Sequence, residues 1–142
     1  MGYCSDVYVM CEDKAHEMFL DLFAEMKALN RDNSPDLESY AKGLWLMKWD
    51  GWKWYDGYPE IDSITQLLNK LDGIDAGGYS YKFIRLGEDN DDVEVRENES
   101  AESNDHMFWE FYPVHAVKLP TGYFNPDEFK TTWRREDYVV TY

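Results

Sequence analysis

Four of the chain's six tryptophans fall between Gly43 and Tyr58 (GLWLMKWDGWKWYDGY), at Trp45, Trp49, Trp52 and Trp54. So much aromatic area in one short stretch must be covered, and the fold has to be arranged around it. From Lys42 to Trp49 apolar residues run almost without a break, which in a segment this short fits a strand covered on both faces. Asp50-Gly51 follows between two aromatic runs. That dipeptide is the strongest local hairpin signal, because a type I′ turn needs positive φ at both central positions. The expectation is a hairpin with Trp49 and Trp52 facing each other across the turn and a short return strand, Trp52 to Tyr55, ended by Tyr58-Pro59. The alternative is a bulge at Asp50-Gly51 inside one long strand. Most of the rings are expected in the core, but one sheet face cannot easily hide all four. Trp49, Trp52 and Trp54 are therefore candidate partner-binding residues.

Around this stretch the patterns alternate between strand and helix. Asp6 to Cys11 (DVYVMC) alternates as a strand should, and from Glu12 to Leu29 the apolar residues Ala15, Phe19, Leu22, Phe23 and Met26 recur at helical spacing. Asn30 to Tyr40, polar and containing Ser34-Pro35, reads as a loop. Pro59 opens a second helix that places Ile61, Ile64, Leu67, Leu68 and Leu71 on one face, with Gly73 as its C-cap. Tyr79 to Leu86 is a strand, His106 to Leu119 is strand-like on both sides of Pro113, and Tyr138 to Tyr142 is a last strand-like run. This predicts one α+β domain over residues 1–142, two helices on a mainly antiparallel sheet. The order β, α, hairpin, α, β is that of a ferredoxin-like plait with extra strands after it. A bulge at Asp50-Gly51 would remove a strand from that order and break the plait.

The formal net charge is −15 over 142 residues. That disfavours nucleic acid and anionic membranes as direct partners, both being polyanions, and points to basic protein surfaces. The charge is uneven: Glu88 to Asp105 holds nine acids against one base, Arg96, and reads as a mobile acidic loop at about 87–105 or as the tip of an extended hairpin. Glu88, Asp89, Asp91, Asp92 and Glu94 join the tryptophans as candidate partner-binding residues. Cys4 and Cys11 would stand about 20 Å apart along a strand, too far for a disulfide, so reduced thiols and a cytoplasmic setting are expected. No apolar run reaches the length of a signal sequence or a membrane span. Asp6 stands where a myristoylation signal wants Ser or Thr.

Catalytic and metal motifs are missing. The carboxylates from Glu88 to Glu94 lack the spacing of a calcium loop: counted from Asp89, the sixth and twelfth positions hold Glu94 and Ser100 where glycine and glutamate are required. Cys11, His16, His106 and His115 show no metal-ligand spacing, and Cys11 reads as a small buried residue. No metal, cofactor or catalytic residue is expected. A second reading keeps an enzyme or small-ligand protein in view, with the tryptophans lining a pocket and Asp50, Asp56 and Glu110 supplying carboxylates. Lys130, Arg134 and Arg135 form the one basic concentration, expected to pair with the acidic segment.

The stretch WLMKWDGWKWYDGYPEI together with the later YKFIRLGED resembles small, acidic, tryptophan-rich proteins of bacteriophages and prophages, over roughly residues 2 to 95. The resemblance implies a virus-encoded accessory factor in the cytoplasm of a bacterial host. Such a factor would bind and disable a host or defence protein, in some cases by mimicking nucleic acid. It carries over no site residues.

Overall fold

A computed structural model describes residues 3–41, 44–89 and 91–98, together with the backbone of three short strands at 112–114, 116–118 and 133–134. The strands are β1 (Ser5–Glu12), β2 (Leu37–Ala41), β3 (Leu44–Trp52), β4 (Tyr81–Leu86), β5 (Val93–Asn98), β6 (Tyr112–Val114), β7 (Ala116–Lys118) and β8 (Trp133–Arg134); the helices are α1 (Asp13–Ala28) and α2 (Pro59–Asp72). The main sheet has the order β5-β4-β1-β3-β2-β8, and every pairing in it is antiparallel. β1 and β2, which flank α1, are separated by β3, while β3 and β4, which flank α2, are separated by β1. These are two interleaved split β-α-β units, the connectivity of the expected α+β plait. β6 and β7 pair with each other, on either side of residue 115.

Both helices lie on one face of the sheet. The face is set by alternation: Val7, Val9 and Cys11 of β1 register with Trp49, Met47 and Trp45 of β3 and with Arg85, Phe83 and Tyr81 of β4. Ala15, Phe19 and Phe23 of α1 and Ile64, Leu68 and Leu71 of α2 close on this face as the core. Met10, Leu44, Leu46 and Ile84, on the opposite face, are also buried. β1 and β3 are thus covered on both sides, as the unbroken apolar run predicts.

Two expectations are corrected. Asp50-Gly51 is not a hairpin turn but a bulge within β3: Val7 registers with Trp49 and Ser5 with Trp52, so Asp50 and Gly51 together oppose Asp6. Gly51 takes φ +57°, the left-handed conformation open to glycine. The two amides that the ladder loses are recovered by side chains, Asp50 N–H donating to Asp36 Oδ2 at 2.7 Å and Gly51 N–H to Asp6 Oδ1 at 2.9 Å. Trp52 to Tyr55 accordingly forms no return strand. The plait survives the bulge because the second correction compensates: Leu37–Ala41, read as part of a loop, is β2. It pairs with β3 so that Ala41 faces Leu44 across residues 42–43.

Of the two readings of the acidic segment, its described part takes the hairpin, β5 pairing antiparallel with β4. Val93–Asn98 is the edge strand β5, entered by a tight turn in which Gly87 N–H donates to Asp92 O and Asp92 N–H to Asp89 O. Residues 99–105, Glu110, His106, His115, the Lys130 and Arg135 side chains and the Tyr138–Tyr142 run lie outside the described residues. Neither described helix is long and apolar enough to cross a membrane.

Candidate functional site

An extra residue in a strand reverses the alternation beyond it. The bulge therefore returns Trp52 to the same face as Trp49, three positions earlier, and stacks the two indoles at 5.4 Å and 14°. Trp54 meets Trp52 edge-on at 5.3 Å and then packs on Phe83, while Phe23 closes the other end against Trp49 at 6.1 Å. A continuous aromatic run thus crosses from α1 to β4.

This overturns the candidacy of Trp49 as a contact residue. It is 2% exposed, and its Nε1 donates to the Asn33 carbonyl at 2.8 Å, so it pins the loop after α1 to the core. Trp52 and Trp54 are half-buried, and none of the four tryptophans ranks among the exposed large hydrophobics. Trp45, also half-buried, stacks on His16 at 3.9 Å and 2° and donates to Asp13 Oδ1.

Beyond Trp54 the chain leaves a cleft of about 660 Å³ between α2 and the β4–β5 hairpin. Tyr3, Trp54, Tyr55, Phe83 and Leu68 line it. Arg85 is clamped at its edge: Nη2 and Nη1 donate to the two Asp92 oxygens at 2.8 and 3.2 Å, and Nε donates to Glu94 Oε1 at 3.0 Å. Tyr3 Oη also donates to Asp92, at 2.6 Å. These bonds, Arg85 first, hold the Asp92 carboxyl below its usual range. Glu88 accepts the Cys4 amide at 2.5 Å. Glu88, Asp92 and Glu94 thus fasten the turn as well as facing outward: Asp92 is half-buried, while Glu88 and Glu94 are exposed, as are Asp89 and Asp91.

His16 and Glu38 form a buried pair at 2.9 Å between α1 and β2. Burial pushes the Glu38 carboxyl up, against the opposing pull of His16. Cys11 has no access to solvent, and burial together with the carboxylates of Glu38, Asp13 and Glu12 pushes its thiol well above the ordinary value, the reverse of an activated nucleophile. Among the described residues no group of three His, Cys, Asp or Glu side chains is placed to hold a metal ion.

A second surface was legible in the sequence and was not singled out there. Asp13, Glu17, Asp21 and Glu25 follow one another at four-residue spacing along α1, and all four are exposed. Four residues advance a helix by about 6 Å, so they form one ridge of carboxylates. Beside its C-terminal half runs an interhelical groove of about 340 Å³, floored by Met18, Leu22, Met26 and Leu67 and rimmed by Asp21 and Glu25 on one side and Gln66 and Lys70 on the other. No protein-family model, curated protein or solved structure matches this chain.

Proposed function

We propose that this chain is a non-enzymatic, acidic protein-binding module that presents the carboxylate ridge of α1 to a basic, nucleic-acid-handling surface on another protein. The observation that carries the reading is the ridge itself. Like charges four apart on a helix cost about 0.2–0.5 kcal/mol per pair, so three successive pairs weaken α1 rather than hold it. Asp13 is partly satisfied by Trp45, but Glu17, Asp21 and Glu25 make no ion pair among the described residues. The Met18–Leu22–Met26 groove beside them offers adaptable apolar contact, which methionine provides well, and the charge steers the partner toward it.

In this reading the acidic turn from Glu88 to Asp92 has a smaller part than its composition suggests, with Asp89 and Asp91 adding to the field. The setting is the one the bacteriophage resemblance implies: an inhibitor made in the bacterial cytoplasm that occupies the nucleic-acid site of a host or defence protein. Immobilised protein should retain a basic or nucleic-acid-binding protein from bacterial lysate at low salt and release it on salt elution. Retention of no such protein would remove the reading's support.

A further inference from the structure

The geometry points to a second site: the cleft between α2 and the β4–β5 hairpin binds an organic monocation, a guanidinium or alkylammonium group. Its size is within the range of small-ligand pockets, about 300–1,000 Å³, and its walls are the rings of Tyr3, Trp54 and Tyr55. Two arginines also reach it, which at first sight favours an anion. Both are already committed. Arg85 faces the two carboxylates of Asp92 and Glu94, and Arg96 donates to Asp72 at 2.7 Å and to Asn69 and the Tyr81 hydroxyl. Arg85 with its two partners is net negative.

Asp56, on the lining next to Trp54 and Tyr55, is exposed and makes no hydrogen bond or ion pair among the described residues. An entering anion would meet Asp56, Asp92 and Glu94 with no uncommitted guanidinium to offset them. A cation would meet aromatic rings, whose π-systems attract positive charge, and one free carboxylate. A hard metal ion needs several converging oxygens, and among the described residues no such group exists. Aromatic walls with a single uncommitted carboxylate select a cation that is large, soft and singly charged.

Two sources share this chemistry, a free small amine or guanidine and a Lys or Arg side chain of a protein partner. The site does not depend on the α1 ridge, and the test keeps the two apart. Protein labelled with ¹⁵N at tryptophan is titrated with Nα-acetyl-arginine amide, Nα-acetyl-lysine amide, a Gly/Ser peptide bearing one central arginine, and sodium phosphate, while the indole N–H resonances are followed. A saturable millimolar shift of the Trp54 resonance, with Trp49 unmoved, is expected for the cations and not for phosphate. Tighter binding of the peptide than of the amide assigns the site to a partner's side chain, and the reverse assigns it to a free ligand. Asp56→Asn should leave the melting temperature unchanged and weaken binding about two- to fivefold, as loss of one exposed charge contact does. Lysine substitutions on the α1 ridge should leave this titration as it is. An unmoved Trp54 resonance, a response to phosphate instead of the cations, or undiminished binding by Asp56→Asn would each overturn the proposal.

Discussion

Trp49 shows how a residue's surroundings decide its role. Replacing it with phenylalanine keeps a ring against Phe23 and Trp52 but removes the indole N–H, leaving the buried Asn33 carbonyl without its donor. An unpaired buried acceptor and a partly emptied site should together cost on the order of 2 kcal/mol, read as a lower urea midpoint with an unchanged slope. Partner affinity, measured under conditions where the variant stays folded, should not change. Gly51 is the other residue on which the aromatic run depends. With φ at +57° and open space around it, Gly51→Ala meets no clash and suffers only backbone strain, about 1–2 kcal/mol, with Gly51→Asn milder because asparagine tolerates that conformation. The rank Gly, Asn, Ala in thermal melts is the expected result, and equal melting temperatures for all three would contradict the bulge geometry.

Among the elements, α1, α2, β1 and β4 were readable because each has one apolar face at its own period, and that period survives in sequence whatever lies beyond it. The apolar run of β3 was readable for a similar reason. Its end was not, since Asp-Gly serves a type I′ turn and a glycine bulge equally well, and the deciding groups, Asp6 and Asp36, come from elsewhere in the chain. β2 was hidden because its helix-facing side carries Glu38 and Tyr40, and the apolar partner that would mark a strand is replaced by a pairing of Glu38 with His16. Neither the cleft nor the clamp on Arg85 had a local signature, because Tyr3, Trp54, Arg85 and Asp92 meet only after folding. The α1 ridge could have been found, as a period-four carboxylate row opposite the apolar stripe.

The buried Glu38 yields a pH prediction at this scale. Its folded carboxyl is raised, so the native state holds that proton more tightly than the unfolded chain. The group's contribution is therefore greatest below the ordinary carboxylate range and is lost as pH rises through its elevated native value. Glu38→Gln keeps the shape and cannot titrate. The difference in unfolding free energy between wild type and Glu38→Gln, from urea melts between pH 4 and pH 8, should move in the variant's favour as pH rises. A difference independent of pH would mean that Glu38 titrates the same folded and unfolded.

For the whole molecule, acidity is not one feature but two. One set of carboxylates, Asp6, Asp36, Asp92 and Glu94, is consumed in fastening the bulge and the β4–β5 turn. Another, along α1, is left facing solvent. Uncommitted like charges lower stability through self-repulsion while raising the rate of encounter with a basic surface, and only the second effect is useful. The most direct test is the association rate with a partner recovered from lysate, compared between wild type and the triple variant Glu17→Lys, Asp21→Lys, Glu25→Lys across a range of salt. The ridge account predicts that the variant folds, associates at least about tenfold more slowly at low salt and loses most of the salt dependence, since steering by charge accounts for factors of about 10–1,000 in on-rate. An on-rate and salt slope equal to wild type in the folded variant would contradict it.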